Sequence, residues 1–597
     1  MESIKRYITE RNIWFLTGAV LFVYMLLRAL YIPYIHDEIA SYFHYIQKEE
    51  FLPGSAHWDA NNHVLNSFFS VVIYRLFGDN EFLMRFPNIL SFILYFFVVL
   101  KLAKLIKSSL LRNLMITALL FSHGYMEFFA LNRGYGMSMA FLICQIWLFI
   151  KWKEKQNTKL LLLFALSGSL AVWANLTLLP VVYIIDFLLV FTIFYYKLKV
   201  SVKQWIIIII LALILKLPAV MFGFELNSRG ALYYGGNDFF NLTVQCLEFL
   251  MWGLYSWWTD ALVIIIFAVI LFLFIWKLVK KQIDFVPVSF SLFFFLAIAA
   301  IFAQHFILGI NYPEDRTGMY LYPLFIISFF SLLDSITIKY LKHIAFIVIL
   351  LPLHFIFTVN ISGVTIWKNQ GMPESFYNYI RNDYKCNRPL LAASQKLLGF
   401  SWTYHDHTHD PVLGPLQHNG YTDGLAEYLI AIPKHFNEID FGIYDKVDED
   451  AWSGNILLKR REPVRLKMLY DTLHPDNIHI KGEEFYVLYE APADSFRGKT
   501  IAIEVNGSIA SFDNILYAII TWTGSTSDNP IFYYEQYHLD WYRRSVHRFR
   551  VTYMLKDIPN NLETIKVYIY SSRSQEYIIN KAELRLYLVE NKKIIKR

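Results

Sequence analysis

The chain has 597 residues, 56% of them hydrophobic and only 17% charged, with 51 Phe and 40 Tyr. That is too apolar for a soluble enzyme of this size and points to a polytopic membrane protein. The net charge of +6 calls for no nucleic acid, because lysines cluster in short loops between apolar runs, and three cysteines are too few for a disulfide framework.

The first apolar run, about 13–30, follows Lys5, Arg6 and Arg11. No clear small-residue cleavage site comes after it and many apolar runs do, so it reads as an uncleaved anchor. A bilayer crossing takes roughly 17–25 apolar residues, and about eleven segments qualify. They lie near 13–30, 86–105, 113–130, 135–150, 160–177, 179–196, 204–222, 259–276, 285–308, 317–334 and 342–360.

Basic residues then set the topology. With the N-terminus inside, the inner loops carry Lys101, Lys104, Lys107 and Arg112, then Lys151, Lys153, Lys155 and Lys159. Lys197, Lys199 and Lys203 follow, then Lys277, Lys280 and Lys281, then Lys339 and Lys342. The short outer loops hold little beyond Arg133, Arg229 and Arg316, the asymmetry of the positive-inside rule. The expected location is the plasma (inner) membrane, with a cytoplasmic N-terminus and everything after Asn360 outside.

The remainder reads as soluble. Over 361–463 the pattern is mixed, with "ESFYNYIRNDY" helix-like and "AEYLIAIP" strand-like. From 464 onward, "TIAIEVNGS", "HRFRVTYML", "TIKVYIYSS" and "AELRLYLVE" alternate with a period of two between turn residues, which predicts a β-sandwich. The fold class is therefore an α-helical polytopic membrane domain (1–360), an extracytoplasmic α/β segment (361–463) and a C-terminal extracytoplasmic β-sandwich (464–597).

Polar residues gather in the outer loops. The first, about 31–85, holds His36, Asp37 and Glu38, then "AHWDANNHVLNSFF" with His57, Asp59 and His63. The second is "EFFALNRGYGMSMAF", with Glu127, Arg133 and Tyr135, and a later one is "NYPEDRTGMY", with Glu314, Asp315 and Arg316. Arginine suits phosphate because its planar fork donates two hydrogen bonds to two oxygens. A carboxylate suits deprotonating a hydroxyl or holding a divalent cation.

Each residue also has a structural reading. Asp37 could cap a helix starting at Ile39, with Glu38 in its first turn. Arg316 could pair with Asp315 or Glu314, Arg133 could snorkel, and Tyr135 suits an interface. Asp186 and Lys216 are charges at matching depths inside predicted spans and read as an ion pair, or else Lys216 helps hold a phosphate. "YHDHTHD" puts His405, His407 and His409 two apart, on one face if the segment is a strand; a metal site competes with a solvated loop. Trp522, Trp541 and Tyr542 suit core packing or stacking on a sugar.

The acidic pair of the first outer loop, "NNHVLNSFF" with "LFGDNEFLMRFPNIL", "NRGYGMSMAF" and "DRTGMYLYPLF" together resemble the GT-C superfamily of membrane glycosyltransferases. The likeness is greatest to the branch of protein O-mannosyltransferases and lipid A aminoarabinose transferases, and it covers about 1–360. It implies a polyprenyl-phosphate sugar as donor, the bilayer as its host, and a glycan, lipid or protein acceptor whose hydroxyl attacks the anomeric carbon. On this resemblance Asp37 is the catalytic acid–base position, with Glu38 beside it. Arg316, Arg133, His63, Asp59, Lys216 and Tyr135 are candidates for the donor and its phosphate. A divalent cation would fall to Asp37, Glu38 and Asp59. The competing class is a polysaccharide or lipid-carrier transporter. Such a protein concentrates its polar residues near the bilayer midplane, in broken helices, whereas here most lie in outer loops.

Overall fold

The computed structural model describes residues 10–253, 255–365, 367–409, 413–418, 423–526 and 533–590. Lys5 and Arg6 lie outside them. The chain divides into two compact units, Met1–Ile32 with Glu49–Ile366, and Pro33–Lys48 with Trp367–Arg597.

The first unit is helical. Among the described residues, eight helices are long and apolar enough to cross a membrane: Glu10–Tyr31, Glu81–Ala103, Tyr135–Lys155, Leu176–Tyr195, Val202–Ser228, Trp257–Val279, Phe285–Leu308 and Tyr340–Thr358. Each coincides with a predicted span. The other three predicted spans are shorter helices, Ser109–Leu120, Thr158–Ala174 and Leu321–Asp334.

The first of these gives way to two short turns. After Leu120 the chain runs through a one-turn helix, His123–Met126, and a 3₁₀ turn, Glu127–Ala130. A Cβ on Gly124 would stand 2.5 Å from the Phe249 carbonyl oxygen, so the turn accepts only glycine against that backbone. Leu321–Asp334 is buried from Leu321 through Leu333, as expected of a helix that is apolar all round. A further apolar helix, Val64–Phe77, lies within the segment expected to be a loop. Its Phe68, Phe69, Val72, Leu76 and Phe77 are exposed while Asn66, Ser67 and Ser70 face inward, the reverse of a soluble amphipathic helix.

Helix ends assigned by the lysine pattern to one side do meet. Lys153 lies over the rings of Tyr196 and Phe285, at 4.7 and 4.5 Å. The Gln204 amide donates to the Gln156 carbonyl at 2.9 Å, and Asp334 accepts from the backbone N–H groups of Lys107 and Ser108 at 2.7 and 2.9 Å.

The second unit contains a four-stranded sheet with β1 (Ala392–Ser394), β2 (Tyr428–Ala431), β3 (Tyr444–Glu449) and β4 (Ile456–Arg460), ordered β1-β2-β4-β3. Helices Glu374–Asp383 and Gly399–Thr408 pack with it through Phe376, Tyr377, Ile380 and Trp402. Beyond it two sheets form the sandwich. One holds β7 (Phe485–Pro492), β9 (Ala518–Ser525), β10 (Tyr533–His538) and β12 (Thr564–Ser571), in the order β10-β9-β12-β7. The other holds β5 (Leu466–Leu473), β8 (Ile501–Ser511), β11 (Val546–Leu555) and β13 (Tyr577–Val589), in the order β11-β8-β13-β5, with β6 (Ile478–Ile480) beside β13.

Ile501, Ile503 and Val505 alternate into the sandwich core as their period predicts. Ala502 and Glu504 between them are buried as well. Ala502 packs with Leu391, Leu425 and Val464, so the sheet is covered on its second face too. Glu504 is compensated by Arg550 and Arg585, at 4.0 and 3.8 Å.

All three cysteines are free thiols: Cys246 is buried, Cys144 half-buried and Cys386 exposed. The lysine pattern carries the expectation that Cys386 faces the outside. A membrane-impermeant maleimide should therefore label the wild-type protein in intact spheroplasts, and Cys386→Ser should abolish the labelling. Labelling only after lysis would invert the topology.

Candidate functional site

Asp37 and Glu38 belong to a six-residue helix, His36–Ser41, followed by a π turn, Tyr42–Ile46. The helix starts at His36, three residues earlier than the capping reading of Asp37 requires. The capping carboxylate is Glu38: its Oε2 accepts the Ile35 N–H at 3.2 Å and the side chain is buried. Asp37, one position earlier and about 100° around the helix, is half-buried. Asp37 is thus the carboxylate of Pro33–Lys48 with access to solvent.

In the helical unit the structure brings the "NNHVLN" and "NRGY" stretches together. Asn66 and Ser70 both donate to Asn132 Oδ1 at 2.8 Å. Asn88 donates to the carbonyls of Phe128 and Leu131, at 2.6 and 3.0 Å, and accepts from the Met137 N–H at 2.8 Å. These neutral, fully buried amides clamp the turn between Glu127 and Tyr135 without placing a charge in the core. A Cβ on Gly134 would stand 2.0 Å from the Ala174 carbonyl oxygen and 2.9 Å from His63 Cβ, so glycine is required for this approach.

On that frame, His63 Nδ1–H donates to the Ala174 carbonyl at 2.7 Å and its ring meets Tyr135 edge-on at 4.6 Å. Arg133 is buried, with its guanidinium 5.4 Å from the centre of the Tyr135 ring and 3.5 Å from the Asn61 carbonyl. Arg133 therefore does not snorkel outward. Asp59 lies half-buried beside this cluster in sequence and accepts the Asn61 N–H at 2.7 Å, an Asx turn that shapes the approach to His63.

Arg316 occupies a second cluster. Its guanidinium lies 4.6 Å above the Tyr234 ring and donates to the Tyr234 hydroxyl at 3.0 Å. That hydroxyl donates to Asp315 at 2.9 Å, and the Tyr255 hydroxyl donates to the same carboxylate. Burial and the Asp315 charge push both phenols above their ordinary range, so they remain donors at neutral pH. Asp315 adopts φ = 49°, and Cys246 Sγ donates to its carbonyl at 2.7 Å. The strained turn is held from below by the Tyr and Cys side chains, leaving Arg316 half-buried.

Lys216 pairs with Asp186, whose other oxygen accepts from Gln145 at 3.1 Å. The lysine ends a π turn, Ala212–Lys216, ahead of Pro218, which has no N–H to continue the helical ladder.

Two residues with strong electrostatic roles escaped the sequence reading. Arg28 is fully buried and donates to Glu127 at 2.6 Å, to the Asn360 carbonyl at 2.8 Å and to the Gly363 carbonyl at 3.1 Å. Glu127 in turn accepts the Thr365 N–H and hydroxyl at 3.1 and 3.0 Å. An arginine inside an apolar run was the available signal. Glu248 is the other. Burial pushes its carboxyl up to about 7 against the bond it accepts from the Ser256 N–H, and Asp260 adds to the push.

His405 and His407 lie on the helix Gly399–Thr408, where residues two apart point about 200° apart, so the shared face expected of a strand does not exist. His405 bonds the Met372 carbonyl at 3.1 Å and His409 the His405 carbonyl at 2.7 Å. Trp522 and Tyr542 belong to the sandwich core, and Trp541 packs against it. Among the described residues, no three His, Cys, Asp or Glu side chains group as a metal site requires.

The Asp186–Lys216 pair has a direct test. Removing either partner leaves the other charge buried, at a cost of about 3–5 kcal/mol. Asp186→Ala and Lys216→Ala should each lower the yield of monodisperse protein sharply, and Asp186→Leu with Lys216→Met should restore it. Additive losses in the double variant would show that the two do not stabilise each other.

No protein-family model and no curated protein sequence matches the chain. Among solved structures it is similar to ArnT from Cupriavidus metallidurans in the apo state, with 11% identity and a TM-score of 0.42 over 75% of this chain and 98% of that one. The same protein bound to undecaprenyl phosphate gives 11% identity and 0.42, over 75% of this chain and 97% of that one. The arabinosyltransferase EmbB from Mycobacterium smegmatis gives 10% identity and 0.39, over 98% of this chain and 65% of that one.

Proposed function

We propose that the chain is a membrane glycosyltransferase that moves a sugar from a polyprenyl-phosphate donor to an acceptor hydroxyl at the outer membrane face. The observation that carries this reading is the pair of clusters at the helix ends. A buried Arg133–His63–Tyr135 group is held by neutral amides, and Arg316 is propped on Tyr234. A lipid-linked donor keeps its tail in the bilayer, so its phosphate can reach only groups at helix ends.

The reaction balances simply. The acceptor oxygen attacks the anomeric carbon as the bond from that carbon to the phosphate oxygen breaks. The hydroxyl proton passes to Asp37, and the lipid phosphate leaves with the electron pair of the broken bond. Glu38, committed to the Ile35 N–H, sets the turn on which Asp37 sits. No step is assigned to a metal ion. The transporter alternative draws on the Asp186–Lys216 pair and the π turn inside a span. Transfer by purified protein in detergent decides between them, because detergent micelles offer no second compartment to transport into.

Asp37→Asn keeps shape but loses basicity. Turnover should fall by roughly 10²–10⁴ with folding intact, the range of a lost general base. Glu38→Gln retains an acceptor oxygen for Ile35 and should stay near wild type. Normal transfer by Asp37→Asn with an inactive Glu38→Gln would move the catalytic role one residue along.

Arg316→Ala should raise the KM for the lipid-linked donor more than that for the acceptor. Arg316→Lys should recover only part of the loss, since a point charge replaces a bidentate fork. Unchanged donor KM in both variants would remove Arg316 from the site.

A further inference from the structure

The stretch that carries Asp37 folds with the C-terminal unit rather than with the helices on either side of it in the chain. Three sets of contacts hold it. His36 Nδ1–H donates to the Leu397 carbonyl at 3.0 Å, and its ring meets Phe400 edge-on at 4.8 Å. The Tyr42 hydroxyl and the Gln47 amide both approach His407 Nε2, at 3.2 and 3.3 Å, and Arg543 donates to the Gln47 carbonyl at 3.2 Å. Phe43 stacks on Trp541 at 5.5 Å, and Trp541 also meets His44 edge-on at 6.2 Å, Phe400 at 5.2 Å and His538 at 4.5 Å.

The far end is closed by charge. Lys48 pairs with Asp540. Burial alone would raise the Asp540 carboxyl, but the His538 hydrogen bond and Lys48 bring it down to about 2, so it is ionised throughout the physiological range. Tyr42, Phe43, Tyr45, Ile46 and Gln47 are all buried. Four of them, Tyr42, Phe43, Tyr45 and Ile46, lie on the π turn Tyr42–Ile46.

We infer that the C-terminal unit is the positioning element for Asp37, with Trp541 and His407 as its principal positioning residues. This rests on the glycosyltransferase reading of Asp37. A six-residue helix is far too short to hold itself, because isolated helices below about 12–15 residues are marginal in water. The orientation of Asp37 is therefore borrowed from the aromatic and histidine contacts that follow it. Loosening them should cost turnover, since a small misplacement of a reacting group costs up to about 10²-fold. Donor affinity, which depends on other residues, should be spared.

The test uses the full-length protein in detergent. Trp541→Ala should speed amide hydrogen exchange across 33–48 by about tenfold or more, with protection in Ile501–Ser511 and Thr564–Ser571 unchanged. It should lower kcat by about 10- to 100-fold with the donor KM unchanged, and Trp541→Phe, which keeps a stacking ring, should recover most of both. If Trp541→Ala also loosens the sandwich strands, His407→Ala serves in its place, with His407→Gln as the conservative variant. Faster exchange with a wild-type kcat would overturn the inference, as would slow exchange in 33–48 after the Trp541 and His407 contacts are lost. A wild-type protein that transfers no sugar while the exchange results stand would sink the proposed reaction, and with it the positioning role, but by a separate readout.

Discussion

The helical unit depends on one buried charge pair. Arg28 is the last cation of the first helix, in an environment where an unpaired guanidinium is costly. Glu127 neutralises it, and the remaining donors of Arg28 reach the backbone after the last long helix, at Asn360 and Gly363. Arg85 closes the end of the first helix from another side, donating to the carbonyls of Ala29 and Ile32 at 3.0 and 2.6 Å. The first helix, the Glu127 turn and the 360–365 segment are thereby fixed to one another. The first helix and the 360–365 segment lead to the points at which the chain leaves the helical unit for Pro33 and for Trp367. Losing one member of such a pair costs about 3–5 kcal/mol, a large share of the 5–15 kcal/mol that separates folded from unfolded chains.

The next turn is held differently. Asn66, Asn88 and Asn132 use neutral amide bonds, and Gly134 lets the backbone meet Ala174. Neutral groups carry a smaller desolvation cost than ions, so several can be buried side by side when each has a partner. This leaves Arg133 the full charge in the cluster of His63, Tyr135 and Asn132. The Arg316 turn applies the opposite economy: a strained Asp315 is stabilised by two tyrosine hydroxyls, and the arginine remains half-buried above Tyr234. The proposed anion-binding role of Arg316 draws on this arrangement of a supported turn beneath a half-buried cation.

The second unit shows why a sheet's alternation is an incomplete guide to its faces. The period of two in β8 identifies a strand and one apolar face, and Ile501, Ile503 and Val505 obey it. It does not reveal that Leu391, Leu425 and Val464 cover the other face, which makes Glu504 a buried ion among arginines. The same limitation applies to "YHDHTHD". Polar residues every second position suit a strand or a helix flank equally, and packing of Trp402 and Tyr377 decides for a helix.

The sequence by itself determined the class of protein, the positions of the long apolar helices and the presence of a β-sandwich. Those follow from composition and from periodicities of 3.6 and 2, which are local properties of the chain. It also supplied the Asp186–Lys216 pair, because a charge inside an apolar run demands a partner. Tertiary structure alone decided that Val64–Phe77 is a helix with its polar side inward, and that Glu38 is spent on the Ile35 N–H while Asp37 keeps access to water. It also decided that Pro33–Lys48 folds with residues more than 300 positions later, as with His36 and Leu397, 361 apart. Contacts at that separation leave no periodic trace in sequence. They are set by which surfaces can bury one another and satisfy their polar groups, and that is a property of the folded chain as a whole.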